Sequence, residues 1–411
     1  MLEQDYDVVI VGGGAAGFFT AVNLAEARPE LRIVILEKAK EVLQKVKISG
    51  GGRCNVTHAE FDPKTLTSYY PRGEKELLGP FHKFMTGDTV QWFEDRGVPL
   101  KAEEDGRMFP ISDNSQSIID CLLQTASRLN VEVLRQQNFL NFELTKSGFE
   151  ITTAKQTLHC RKLVITAGSS KKIWSLLEKK GHTVVAPVPS LFTFNIENKE
   201  LTALQGISQL ATVALLDEGG SAWLEQSGPV LITHWGVSGP GVLKLSAVAA
   251  RELFDCNYEF NIRMNWLPES DQPAIFDILK EARSKRAKQL VSKQAPFEMT
   301  KRLWRYLCQR SGIDPSAVWA DQSNKNLQGL SMTISSDGYS VNGKSTYKEE
   351  FVTAGGVALS EINFKHFESK KISGLYMAGE VINVDALTGG FNFQNAWTGG
   401  YIIARSIAET I

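Results

Sequence analysis

The sequence predicts an α/β protein: a three-layer, Rossmann-like domain carrying a β-meander, interrupted by an insertion of β-barrel-like and helical character. Three observations predict it. A β-branched strand, a glycine turn and a helix open the chain; strands ending in small-residue turns recur near its middle and its end; and between them lies a stretch of different pattern with a local excess of positive charge.

The first element is YDVVIV, Tyr6–Val11, a short apolar run of the kind buried in a parallel sheet. Gly12-Gly13-Gly14-Ala15-Ala16-Gly17 then opens a helix expected to reach about residue 28. Gly12 permits the tight bend, Gly14 the approach of a pyrophosphate to the backbone, and Gly17 the close contact of helix with sheet, so the phosphates meet the positive helix end. A second strand, 32–36, ends at Glu37, about 20 residues past the turn, where a carboxylate suits ribose hydroxyls; Lys38 follows it. Strand, turn, helix, strand and acid in register predict a dinucleotide-binding unit.

Length and charge bound the rest. A chain of 411 residues with 43% hydrophobic content has material for more than one core. Its 45 basic and 46 acidic residues exclude a surface tuned throughout for polyanions, though not a local patch. The opening MLEQDYD lacks the basic start and apolar middle of a secretory leader, and no apolar run reaches the roughly 18 residues of a membrane span. Five scattered cysteines without CxxC spacing argue against a disulfide framework or a zinc site. A cytoplasmic protein with no metal and no membrane partner is expected.

After the first unit come a helix at 88–96, an acidic turn at 103–107, and a helix at 114–129 with Asp113 or Ser115 as N-cap. Strands at 131–134, 139–144, 149–153 and 156–160 make the meander. Pro187-Val188-Pro189 marks a boundary, so 1–189 form the first part of the nucleotide domain. The insertion, 190–346, is expected to be barrel-like over 190–266, basic and helical over 267–328, and to return as strands over 329–346, beginning near 330–335. It is expected to form the substrate side of the cleft. Residues 347–411 rejoin the first domain and end in a helix from 396 to 411.

The first unit alone does not separate NAD from FAD. An ordinary NAD enzyme continues its alternation, whereas here a glycine-rich loop follows, Lys47-Ile48-Ser49-Gly50-Gly51-Gly52-Arg53-Cys54-Asn55. Later strands end at Ala167-Gly168 and at Gly379-Glu380. These segments resemble the scattered FAD-binding segments of the glutathione-reductase-like flavoproteins. More closely, VGGGAAG, KISGGGRCNVTH, THWGVSGPGVLKLS, VTAGGVALSEIN and GLYMAGEVINVDALTGGFNFQNAWTGGYIIAR resemble the BaiN/YhiN-like (BaiN/RdsA-like) family of NAD(P)/FAD-dependent oxidoreductases along almost the whole chain. The resemblance implies non-covalent FAD touched by Gly12–Gly17, Glu37, Lys38, Lys47, Ser49 to Arg53, Asn55, Ala167, Gly168, Gly379, Glu380, Asp385, Gly390, Asn392, Phe393, Gln394 and Asn395. In it a helix N-terminus after Gly390 faces the pyrimidine end of the flavin and steadies negative charge there.

There is one GxGxxG and no CxxxxC, so NADH or NADPH is expected as a transient electron donor. The resemblance places the 50–55 loop by the isoalloxazine. Cys54 would then supply the proton completing reduction of a C=C bond, with Arg53 favouring its thiolate; otherwise it is a packed residue. His234 is the competing acid, or a structural histidine. Between Lys280 and Arg310 ten basic residues stand against Glu281 and Glu298. Arg283, Lys285, Arg286, Lys288, Arg302 and Arg305, with Trp304 and Tyr306 interleaved, could track RNA phosphates, the alternative being a solvated helix face. Three functions follow: reduction of uridine to dihydrouridine in ribosomal RNA, reduction of a small apolar enone, or RNA binding or redox sensing by a flavoprotein without turnover.

Overall fold

The computed structural model describes residues 5–345 and 352–411. The chain divides into two compact units, Met1–Val188 with Lys348–Ile411, and Pro189–Tyr347. The second boundary expected from sequence, at 346–347, lies outside the described residues.

The first unit is built on a nine-stranded sheet. Its parallel centre runs, in order, Leu375–Met377, Thr157–Ile165, Tyr6–Val11, Ile33–Leu36 and Glu132–Leu134. Leu375–Met377, Ile33–Leu36 and the C-terminal halves of Tyr6–Val11 and Thr157–Ile165 are buried apolar runs because helices cover the sheet faces, and Phe18, Phe19, Val22 and Leu24 of the helix Ala15–Ala27 are fully buried. That helix packs along the terminal helix Phe391–Thr410, and Gly400 permits the approach: a Cβ there would stand 2.9 Å from Ala16 O. The C-terminal residues Met377, Ile165, Val11, Leu36 and Leu134 pair in one continuous register, so the turns after all five strands open at the same level of the sheet.

The meander is Phe139–Thr145, Gly148–Thr153 and Thr157–Ile165. The break expected after Cys160 is absent. One nine-residue strand serves both partners, pairing Cys160 antiparallel with Phe149 and parallel with Tyr6. Arg161 and Lys162 interrupt its apolar run without ending it.

The second unit holds a seven-stranded antiparallel sheet in the order Asp337–Asn342, Glu259–Asn265, Ser208–Leu216, Ala222–Ile232, Gly236–Ser238, Thr193–Asn195, Lys344–Ser345. The two outermost strands are consecutive in the chain, separated by Gly343 at φ +104°, so the sheet curls back to its own beginning. Helices Gln272–Lys285, Lys301–Arg310 and Asn324–Ser335 pack as a separate layer.

The strand expected at 330–335 is a helix. Ser323 caps it, accepting from the Asn326 N–H at 3.1 Å, and Leu327, Leu330, Ser331 and Ile334 form one buried stripe at helical spacing. The return to strand begins at Asp337. The terminal helix likewise starts at Phe391, five residues before the expected 396, because Gly390 at φ +97° makes the N-terminal turn.

Candidate active site

The turns beyond the five in-register strand ends build the site, as expected at the carboxyl edge of an open parallel sheet. After Tyr6–Val11 comes the glycine turn. A Cβ at Gly12 would stand 2.5 Å from Thr166 O, and one at Gly17 2.1 Å from Gly12 O, so both positions are closed to side chains. A Cβ at Gly14 would meet no atom within 4 Å. Gly14 is also the N-cap of Ala15–Ala27, with no side chain capping it and no acid in the first turn. The leading N–H groups of this helix are thus left uncapped beside an uncrowded Gly14, a donor set that suits a phosphate group.

Glu37 follows the next strand. Its carboxylate accepts from the Gly13 N–H at 2.9 Å and from the Ala39 N–H at 2.8 Å, which aims it beside the glycine turn. Lys38 and Lys47 are exposed. Thr166 Oγ1 donates to Val11 O or Gly12 O, each at 3.1 Å, and ties the Ala167-Gly168 turn to the first. Glu380 follows Gly379, which adopts φ +75°, and pairs with Lys45, a residue the motifs did not single out.

The 49–55 loop is set by three successive left-handed glycines, Gly50, Gly51 and Gly52. Ser49 Oγ donates to Val46 O. With its amide oriented to satisfy both ends, Asn55 donates to Thr57 O at 2.9 Å and Met108 O at 3.2 Å and accepts from the Gly390 N–H at 3.0 Å. The loop is thereby tied to the start of the terminal helix. A Cβ at Gly390 would stand 2.5 Å from Thr57 O, which explains glycine there.

The structure corrects several expectations. Cys54 is fully buried, and burial pushes its thiol up to about 12. Arg53 does not sensitise it: the guanidinium donates to Glu103 at 2.6 Å, faces Asp113 at 3.5 Å, and lies over the Phe109 ring. The acidic turn thus holds Arg53, and Cys54 is a packed residue. Asp385, expected to touch the cofactor, is fully buried, and its carboxylate takes both Nε and Nη2 of Arg72.

Gln394 is also turned inward. Its Oε1 accepts from Thr57 Oγ1 at 2.6 Å and Thr89 Oγ1 at 3.0 Å, and its Nε2 donates to Thr398 at 3.1 Å, so its side chain is occupied by the protein. Asn395 is buried in the same helix. Asn392 holds the Ala386 peptide through two hydrogen bonds, and Phe393 stacks on Trp397. What this segment presents is backbone: Gly390 caps Phe391–Thr410 without a side-chain bond and without an acid in the first turn. His58, unassigned from sequence, meets Gly389 O at 3.0 Å and packs on Phe391.

In the second unit His234 is exposed in the turn between Ala222–Ile232 and Gly236–Ser238. Trp304 and Tyr306 are buried, Trp304 donating to Val291 O and Tyr306 bonded to Tyr339, so neither is a stacking surface. Arg283 donates to Gln322 O and Arg286 reaches Gln294 O and Ala295 O, both acting as braces, while Lys285 pairs with Glu281. Lys288, Lys293, Lys301 and Arg305 are exposed and, among the described residues, have no side-chain partner. Among the described residues no group of three or more His, Cys, Asp or Glu could hold a metal ion, and no helix is long and apolar enough to cross a membrane.

An open parallel sheet with glycine turns, two side-chain-free helix N-termini and an oriented Glu37 defines the first unit as that of an FAD-dependent oxidoreductase. The chain belongs to the family described as HI0933-like protein Rossmann domain, whose model matches residues 6–406. It is 28% identical to the ribosomal RNA dihydrouridine synthase of Escherichia coli (strain K12), over 98% of this chain and 98% of that one. It is 26% identical to the 3-dehydro-bile acid delta(4,6)-reductase of Clostridium scindens, over 97% of this chain and 98% of the relative. In fold it is similar to 3-ketosteroid-delta4-(5alpha)-dehydrogenase from Rhodococcus jostii RHA1, with TM-score 0.55 and 12% identity over 99% and 98% of the two chains.

Proposed function

We propose that this chain is a cytoplasmic reductase of an activated C=C bond that draws electrons from NADH or NADPH and reduces uridine in ribosomal RNA to dihydrouridine. The observation that carries the reading is the end-to-end similarity to a ribosomal RNA dihydrouridine synthase. The unpartnered cations Lys288, Lys293, Lys301 and Arg305 support it, because an RNA substrate must be held by its phosphates.

Non-covalently bound FAD supplies two-electron hydride transfer. The protein's part is to hold and to protonate. With FAD bound, the N–H groups at Gly14, Ala15 and Ala16 would hold the pyrophosphate and Glu37 the ribose hydroxyls, while the N-terminus of Phe391–Thr410 would offset negative charge at the pyrimidine end. Hydride addition to the C=C bond leaves enolate-like charge that an acid must quench. Of the two candidate acids, exposed His234 is favoured over buried Cys54.

Mass analysis of ribosomal RNA from cells with and without the gene tests the substrate: a uridine should carry two extra hydrogens only when the protein is present. A second reading, reduction of a small apolar enone, is favoured by the 26% identity to the bile acid reductase. Unchanged RNA together with consumption of a steroid-type enone by the purified protein selects that reading. Heat or acid should release intact FAD, and flavin retained by the denatured chain rejects the non-covalent assignment.

A further inference from the structure

Among the described residues of the second unit the large aromatic rings Trp223, Trp235 and Phe254 are exposed, and Trp235 is the most exposed of the three. Trp235 is 52% exposed in the turn after Ala222–Ile232. This turn is rigid. The Thr233 N–H donates to Gly236 O at 2.8 Å, the Trp235 N–H to Thr233 Oγ1 at 3.2 Å, and the Ile196 N–H to Trp235 O at 2.8 Å. A Cβ at Gly236 would stand 2.2 Å from Phe194 O. The indole is thus held out into water on a fixed backbone, with the His234 ring 4.9 Å away and tilted 44°.

The same turn is linked to the basic helix. The Gly206 N–H donates to Ile232 O and the Ile232 N–H to Ile207 O, both at 2.9 Å. Three residues before Gly206, Ala203 O accepts from Arg302 Nη2 at 2.7 Å. One short segment, 203–207, therefore joins the Trp235 turn to Lys301–Arg310. That helix buries Leu303, Trp304, Tyr306, Leu307 and Cys308, which leaves Lys301 and Arg305, one turn apart, on its open face.

We propose that Trp235 and the open face of Lys301–Arg310 form one binding surface for single-stranded RNA, with Trp235 stacking an unpaired base and Lys301 and Arg305 holding flanking phosphates. The inference rests on the RNA reading above and names where that RNA is gripped. An exposed ring and unpartnered cations carried by elements that one short segment ties together suit a single strand, because a flat aromatic accepts any base and cations track the backbone, whereas a duplex hides its base faces. Arg302 positions the helix, since its guanidinium is bonded to Ala203 O.

The test uses the FAD-loaded protein and a fluorescent, uridine-rich single-stranded oligonucleotide titrated at several salt concentrations. Trp235→Ala should weaken binding roughly tenfold, the loss of one stacked base, with the salt slope unchanged. Lys301→Glu with Arg305→Glu should weaken it and lower the slope by about two phosphates. Trp235→Phe should retain most of the affinity. Trp223→Ala, which removes an indole that is 46% exposed at the opposite end of Ala222–Ile232, should change nothing. If Trp235→Ala binds like the parent while the double charge variant is weakened, RNA binding stands and the stacking surface falls. Equal loss in the Trp223 variant, or preference for a duplex of the same sequence, also overturns it. A parent protein that binds no oligonucleotide defeats both this inference and the RNA reading beneath it.

Discussion

The two units hold positive charge in opposite ways. In the first, anion-binding donors are supplied by the first-turn N–H groups of the helices that follow Gly14 and Gly390, placed by backbone conformation and left without side-chain caps. In the second, charge is carried by long side chains between Lys280 and Arg310, and six of these ten are already engaged: Lys280, Arg283, Lys285, Arg286, Arg302 and Arg310 have partners within the unit. A backbone site is ordered before its ligand arrives, so little freedom is lost on binding. Flexible side chains in water suit a long polyanion, whose hold weakens with salt. The first arrangement fits a resident cofactor and the second a substrate that must leave.

The comparison is broken most severely by closing the backbone site. Gly17→Val places side-chain atoms where even a Cβ would stand 2.1 Å from Gly12 O, so FAD content should fall to near zero with loss of stability. Gly14→Ala is the sharper variant. Its Cβ meets no protein atom within 4 Å and its φ of −97° suits alanine, so the chain should fold as before. Any loss of FAD affinity in that variant, read by flavin fluorescence during dilution, then reports the close approach of the cofactor itself. Normal affinity would show that the pyrophosphate does not pass over Gly14.

Next in size is the buried ion pair between Arg72 and Asp385. Arg72→Ala strips the bidentate partner from Asp385, which is fully buried, and breaking such a pair costs about 3–5 kcal/mol. Thermal denaturation should show the loss, and Arg72→Lys should recover only part of it because ammonium cannot present two parallel donors. A variant as stable as the parent would mean that other contacts carry the segment between Glu380 and Gly390.

The same contrast explains what was legible in the sequence. The positions of Gly12, Gly17, Gly168 and Gly379 in the fold were legible because turns leave a local signature: a residue type forced by positive φ or close packing, at fixed distance from a strand. The roles of Cys54, Gln394 and Asp385 depend on which neighbours their side chains meet, and those neighbours, Thr57, Thr89 and Arg72, are over three hundred residues away from the last two in sequence. Trp304 and Arg283 failed for the same reason. Their chemistry suited RNA, but hydrogen bonds to Val291 O and Gln322 O had already engaged them, and Trp304 is buried as well. The helix at Asn324–Ser335 was obscured because its β-branched and serine residues resemble a strand over six positions and show helical spacing only over twelve.

A smaller effect separates side chains that hold the first unit from those that do chemistry. His182 is buried, with Nδ1 3.0 Å from Glu361 and Nε2 3.2 Å from Ser369. The arrangement resembles a hydrolytic triad, but Ser369 Oγ also accepts from the N–H groups of Lys371 and Ile372 and is a structural pin. Burial lowers the His182 pKa, so the fold favours its neutral form, and that contribution is lost as pH falls below the ordinary value of 6.5. Burial alone would raise Glu361, but Lys371, Thr183 and His182 outweigh it and bring it from 4.5 to about 2, so its contribution is present above 4.5 and lost between there and about 2. Melting temperature should therefore decline from pH 7 to 5, and His182→Gln should flatten that decline while leaving the steeper fall below pH 4.5. Identical slopes in the two proteins would reject the assignment.

The smallest expected effect is at Cys54. A proton donor must touch its acceptor and release its proton in the transition state, and Cys54 is placed for neither: no part of it is exposed, and burial holds its thiol near 12. Its backbone sits at φ +63° with its N–H donating to Ser49 O, so the residue is fixed in the loop wall. Cys54→Ala keeps the Cβ and removes only a packed sulfur, at a cost of about 1 kcal/mol of stability. Stopped-flow measurement of the two half-reactions should find flavin reduction by NAD(P)H and substrate reduction both within about twofold of the parent. His234→Ala should leave the first half-reaction intact and slow the second by at least about tenfold, the loss of a positioned acid. Should Cys54→Ala instead slow substrate reduction tenfold with flavin reduction unchanged, Cys54 must become exposed during turnover, and the contrast between a preset backbone site and an adaptable surface no longer holds for the 49–55 segment.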